Sequence, residues 1–187
     1  MTRYIVEITE SKNILDVGCG PGADYQVLKD CKIQYTGIDI TPQVIEYCKQ
    51  TFPEGDFRVG DIFKLPFPDK SFDIVLCRDV LEHFPPPWES GYNWRAALKE
   101  LSRVANKFLV LNFYLGFHRE NKPRVRKRED GFYEVKLSKN QFTAIYDSLG
   151  WKQWASLEYT LRLPRETLLW LIREELYDDF KRSQTGY

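Results

Sequence analysis

The stretch that most constrains this chain is Asn13–Gly22, which reads Asn-Ile-Leu-Asp-Val-Gly-Cys-Gly-Pro-Gly. Ile14, Leu15 and Val17 form a short apolar run that ends in glycines at 18, 20 and 22, and Ala23–Asp30 then has the pattern of a helix. The spacing predicts a buried strand, a tight turn and a helix N-terminus. Glycines there let the backbone turn sharply and let a ligand lie against the main chain without meeting a Cβ. Asp16 stands at the strand's end, where a carboxylate repels a phosphate and suits an ammonium group. The glycines follow Asp-x-Gly-x-Gly-x-Gly, not the Gly-x-Gly-x-x-Gly that places a pyrophosphate on a helix N-terminus.

Around this turn the chain alternates apolar runs with helical patterns, the signature of an α/β fold. Strands are expected at Lys32–Asp39, Phe57–Ile62, Phe72–Cys77 and Lys107–Asn112, with helices at Pro42–Phe52, Trp94–Ala105 and Ser138–Leu149. Arg119–Arg128 holds six basic residues (Arg119, Lys122, Arg124, Arg126, Lys127, Arg128) and one acid, Glu120. Glu129-Asp130-Gly131 then turns into an alternating segment, so 119–137 reads as an inserted basic hairpin. Trp151–Leu163 is expected to supply two further strands. Pro164 opens an amphipathic pattern through Phe180, with Leu168, Leu171, Ile172 and Leu176 at helical spacing. All 187 residues suit one domain.

Five landmarks bring this region a resemblance to a known family. The glycine stretch resembles motif I of the class I S-adenosylmethionine-dependent methyltransferases, small-molecule branch. Gly37-Ile38-Asp39, Gly60-Asp61-Ile62, Leu65-Pro66-Phe67 and Phe72–Phe84 follow in the same order. The resemblance runs over Ile14–Phe113 and implies a Rossmann-like, doubly wound, mostly parallel seven-stranded sheet flanked by helices. It implies S-adenosylmethionine as cofactor, with its amino acid end on Asp16, Gly18, Cys19, Gly20 and Gly22. Asp39 would accept hydrogen bonds from both ribose hydroxyls, with Ile40 beside it, and Asp61 and Ile62 would meet the adenine. The alternative for Asp39 is a helix-capping role, which Thr41-Pro42 already fills in the sequence pattern. For Asp61 the alternative is a turn residue.

Arg78 departs from the family's small residue at the exit of the fourth strand. It would meet the cofactor's carboxylate or an anionic substrate, or form a structural salt bridge. His83 would stand near the transferred methyl, either as a general base or as part of the pocket wall. Pro85–Trp88 and Gly91–Trp94 offer stiff, aromatic surface, as substrate wall or as loop packing. The short Met1–Lys12 segment leaves any lid to another element.

The expected reaction is methyl transfer to an oxygen or nitrogen of a small molecule, anionic ones included. Lys plus Arg equals Asp plus Glu at 27 each, so overall charge favours no nucleic-acid partner. Single-stranded nucleic acid is the alternative acceptor, through the basic hairpin; a non-catalytic cofactor-binding subunit is another. A nicotinamide dehydrogenase is disfavoured by the glycine spacing and Asp16. No stretch has the length of a membrane span. Cysteines 19, 31, 48 and 77 lack metal-ligand spacing and read as core residues of a cytoplasmic protein. No metal site is expected, and the sequence sets no oligomeric state.

Overall fold

The computed structural model describes residues 6–7, 9–87, 89–114, 123–159 and 166–185. In chain order the strands are β1 (Asn13–Val17), β2 (Gln34–Asp39), β3 (Asp56–Val59), β4 (Phe72–Cys77), β5 (Ala105–Tyr114), β6 (Arg124–Lys127), β7 (Tyr133–Lys136), β8 (Trp151–Tyr159) and β9 (Glu166–Arg173). The helices are α1 (Ala23–Leu28), α2 (Pro42–Thr51), α3 (Trp94–Val104), α4 (Lys139–Ser148) and α5 (Glu174–Thr185).

Seven strands form one sheet in the order β3-β2-β1-β4-β5-β9-β8. The first five are mutually parallel, and β9 runs antiparallel to both β5 and β8. The sequence explains why both faces are covered. Along β1, β4 and β5 consecutive apolar residues point to opposite sides. Leu15, Val75, Leu109 and Leu111 pack with Ala97, Leu98 and Leu101 of α3 and Phe142 of α4. Ile14, Ile74, Phe108 and Val110 pack with Tyr25 and Leu28 of α1 and Ile45 and Cys48 of α2. Caps fix two helix starts. Asn93 Oδ1 accepts from the Arg95 and Ala96 amides at 3.0 and 3.1 Å, and Ser138 and Gln141 form a reciprocal capping box at α4.

The carboxyl ends of β1 to β4 meet where chain order reverses, between β1 and β4. This is the crevice where open α/β sheets hold ligands. Loops from β1, β2, β3 and β4 converge there.

Two expected elements are different: Trp151–Tyr159 is one strand where Trp151–Leu163 is expected to supply two, and the expected helix from Pro164 is replaced in its first part. Glu166–Arg173 is a strand, and the helix begins only at Glu174. Leu171 and Ile172 are fully buried and pair with Leu109 and Phe108 of β5 on one side and Gln153 and Lys152 of β8 on the other. Without β9, β5 would present an open edge. The backbone's need for partners overrides the helical spacing of the leucines. The hairpin is present as β6 and β7, a separate two-stranded sheet; Arg119, Glu120 and Lys122 lie outside the described residues, as do Trp88, Leu163 and Pro164. Among the described residues no helix is long and apolar enough to cross a membrane.

Candidate active site

At the crevice lies a cavity of about 730 Å³. The β1 turn contributes Val17, Gly18 and Gly20, the end of β2 contributes Ile38, Asp39 and Ile40, and the exit of β3 contributes Gly60, Asp61, Ile62 and Phe63. The far wall is Asp79, Val80, Phe84, Pro85, Ser90 and Tyr92.

The turn is held tightly. The amides of Gly18 and Cys19 both donate to the Ile38 carbonyl, at 2.7 and 3.0 Å, which pins the turn against the end of β2. Gly18 has φ +78°, and a Cβ there would lie 2.4 Å from Val80 Cγ2. Gly20 has φ +50°, yet nothing described lies within 4 Å of where its Cβ would stand. One glycine is required by a neighbouring side chain, and the other leaves open space beside the cavity.

Asp39 ties the same turn to the next loop. Its carboxylate accepts from the Gly20 amide at 3.1 Å and from the Thr41 amide at 2.9 Å. The Thr41 side chain makes no cap bond, and Asp39 holds the amide of this N-cap residue rather than the first amides of the helix. A carboxylate has about four acceptor positions, so two amides leave capacity for ligand hydroxyls. Asp61 is organised alike, accepting from the Phe63 amide at 2.9 Å. Ile40 is 68% exposed and Tyr92 67% exposed at the rim, apolar surface that a flat ligand would cover. Phe63 stands edge-on to both Phe84 and Tyr92, with ring centroids 4.8 and 5.2 Å apart, and completes an aromatic wall.

Of the residues singled out from sequence, the structure brings Gly18, Gly20, Asp39, Ile40, Asp61 and Ile62 to this cavity. Asp16, Cys19, Gly22 and Arg78 stand behind it and shape the turn. Asp16 is buried and accepts a 2.6 Å bond from the Tyr35 hydroxyl. Burial first, then the Asp24 charge, push its carboxyl up to about 7, against the opposing pull of Tyr35 and Arg78. Arg78 donates to Asp24 Oδ2 at 2.5 Å. Burial disfavours the Arg78 charge, but Asp24, Asp16 and Asp79 outweigh it and hold its pKa above the ordinary value. Cys19 is buried and Gly22, at φ +82°, starts α1.

His83 sits on a 3-10 turn, Leu81–His83, between the cavity and the hairpin. Its Nδ1 is 3.3 Å from the Tyr133 carbonyl and its ring faces Phe132. It lines a second, polar cleft of about 710 Å³ with Arg126, Arg128, Glu129 and Glu134. Part of the charge of the described hairpin is answered at home. Arg128 pairs with Asp130 at 2.8 Å, Lys136 with Glu134 at 3.3 Å, and Arg126 stands opposite Glu134 in register. Trp94 is buried in the core, so of the aromatic loop residues Tyr92 reaches the cavity.

Two residues were not singled out from the sequence. Asp79 lines the cavity with φ +55°, and the side-chain amide of Asn112 donates to its Oδ1. The available signal was a polar Asn closing the apolar run Phe108-Leu109-Val110-Leu111. Among the described residues no cluster of His, Cys, Asp and Glu has the makings of a metal site, and the four cysteines are free thiols.

Residues 15–107 match the family model described as a methyltransferase domain. An uncharacterized methyltransferase of Mycobacterium tuberculosis is similar, 31% identical over 129 residues that make up 62% of this chain and 51% of the relative. Ajmaline N-methyltransferase of Rauvolfia serpentina is 31% identical over 119 residues, 60% of this chain and 38% of that enzyme. This chain thus spans about half or less of these relatives' length. Among solved structures, magnesium protoporphyrin IX methyltransferase from Synechocystis PCC 6803 with bound SAM superposes with a TM-score of 0.71 at 20% identity, covering 92% of this chain and 76% of that one. At that identity the likeness carries the fold.

Proposed function

We propose, from the match of residues 15–107 to the methyltransferase domain model, that this chain transfers a methyl group from S-adenosylmethionine to an oxygen or nitrogen of a small molecule. The observation that carries the reading is the charge of the cavity. Asp39, Asp61 and Asp79 line it, and no Lys or Arg lines it among the described residues. Three carboxylates in one cleft attract a cationic ligand and repel the pyrophosphate of a dinucleotide. Its volume lies within the usual range for small-molecule sites, roughly 300–1,000 Å³.

The residues present fit this cofactor. The open approach at Gly20 would admit the amino acid end along the glycine turn, Asp39 would hold the ribose, and Asp61 with Ile62 and Ile40 would hold the adenine. When bound, S-adenosylmethionine supplies an electrophilic methyl on a positively charged sulfur that leaves readily. The chain's task is then chiefly to hold the acceptor in line and keep water out. The aromatic wall of Phe63, Phe84 and Tyr92 serves that purpose. Asp16 and Arg78 stiffen the turn from behind, and His83 shapes the acceptor's path toward the hairpin cleft. An anionic group on the acceptor would lie there beside Arg126. A small molecule suits this surface better than a nucleic-acid strand, because Arg128 and Lys136 of the hairpin already pair with Asp130 and Glu134.

Incubation with methyl-labelled S-adenosylmethionine and a panel of small amines, hydroxy acids and phenols tests the reading. Label should pass to at least one acceptor as S-adenosylhomocysteine accumulates, and Asp39→Ala should suppress both. A protein that neither binds the donor nor labels any acceptor would overturn it.

A further inference from the structure

Asn112 is completely buried near the carboxyl end of β5, at the close of an apolar strand. Its Nδ2 is spent on Asp79, and its Oδ1 has no hydrogen-bond partner. A buried polar atom left unpaired costs roughly 1–3 kcal/mol, so an apolar residue would serve packing better. Asp79 carries a second cost, a left-handed backbone at φ +55° in a residue with a side chain. The two costs meet in one hydrogen bond, and what it secures is the placement of a carboxylate on the cavity wall.

Strand order says which part of the cavity that is. From β3 to β5 the carboxyl edge presents Asp61, Asp39, the glycine turn, Asp79 and then Asn112. Neighbouring strands lie about 4.8 Å apart, so Asp79 is roughly three spacings, about 14 Å, from the Asp61 end. A donor with its adenine at Asp61 and ribose at Asp39 reaches β4 with its methyl-bearing end. Resting on the proposed donor site, we propose that Asp79 faces the position of the transferred methyl and accepts a hydrogen bond from the acceptor's reacting group, and that Asn112 is the positioning residue that holds it there. This selects acceptors whose reacting atom carries hydrogen, amines and hydroxyls, over thiolates and carbanions.

The test needs no knowledge of the acceptor. In sinefungin an amine stands where the methyl sulfonium of the donor would be, whereas S-adenosylhomocysteine has only a thioether there. Calorimetric titration of both ligands should show the wild-type protein binding sinefungin at least about tenfold more tightly than S-adenosylhomocysteine. In Asp79→Asn and Asn112→Leu that preference should fall to within about twofold of unity, with the affinity for S-adenosylhomocysteine unchanged. Unchanged thioether binding also shows that the variants fold. If leucine prevents folding, Asn112→Ser, which draws the donor group back from Asp79, carries the same expectation. The double variant should lose no more preference than Asp79→Asn alone.

A preference that survives either substitution overturns the inference. So does a parallel loss of S-adenosylhomocysteine affinity in Asp79→Asn, which would place Asp79 on the donor's own ammonium. A wild-type protein that binds neither ligand refutes the donor site itself, and the inference with it.

Discussion

The guanidinium of Arg78 bonds the carboxylate of Asp24 at 2.5 Å, joining the exit of β4 to the first turn of α1 across the back of the glycine turn. The residue that departs from the family pattern is thus spent on the scaffold, and the next residue, Asp79, lines the cavity. Arg78→Met should lower stability by about 1–3 kcal/mol, because Asp24 and Asp16 then face each other without a cation between them. Urea unfolding measures this. The acceptor KM should stay unchanged; a raised KM at unaltered stability would return Arg78 to the substrate.

Gly18 and Gly20 should respond differently to the same substitution. Gly18→Ala drives a Cβ to 2.4 Å from Val80 Cγ2, so Val80 must move and stability should drop by about 2 kcal/mol or more. Gly20→Ala meets nothing within 4 Å and should cost about 1 kcal/mol, from its left-handed backbone. Its methyl group enters the space beside the cavity, so donor affinity should fall by about tenfold or more. Thermal melts paired with donor titrations separate the two. Equal stability losses with equal donor affinity would contradict this division of roles.

Asp16 makes stability depend on pH. Its carboxyl is raised from 3.8 to about 7 in the folded protein, so the native state binds a proton that the unfolded chain releases near its ordinary pKa. The associated stability is complete below about pH 4 and is lost as pH rises through about 7. Between those limits Asp16→Asn should flatten the fall in unfolding free energy by on the order of a few kcal/mol. Tyr35→Phe, which removes the hydroxyl bonded to the charged form, should move the fall to higher pH. Parallel wild-type and Asp16→Asn profiles would show that Asp16 does not titrate in this window.

What could be read from the sequence was local. Val17, Gly18 and Gly20 share one turn, and Asp39 and Asp61 close the next two strands, so a parallel sheet in the expected order brings them to one edge without further information. Asp79 was harder, because a left-handed residue and a buried amide 33 positions away decide where its carboxylate goes. Arg78 was ambiguous because its partner, Asp24, lies 54 positions away in α1. The helical reading of 164–180 failed on Leu171 and Ile172, whose place in the pattern suits a helix face as well as a strand buried on both sides. Only the open edge of β5 distinguishes these, and no local window contains it. Val27 and Tyr47 teach the same lesson in small: both have helical core spacing, and both are exposed.

The most direct measurement is calorimetric titration of the wild-type protein and Asp39→Ala with S-adenosylmethionine, with NAD⁺ as the control. The account predicts micromolar binding of S-adenosylmethionine, weakened by roughly 1.5–3 kcal/mol in the variant, and no binding of NAD⁺. Failure of the wild-type protein to bind S-adenosylmethionine, or equal binding by Asp39→Ala, would contradict it.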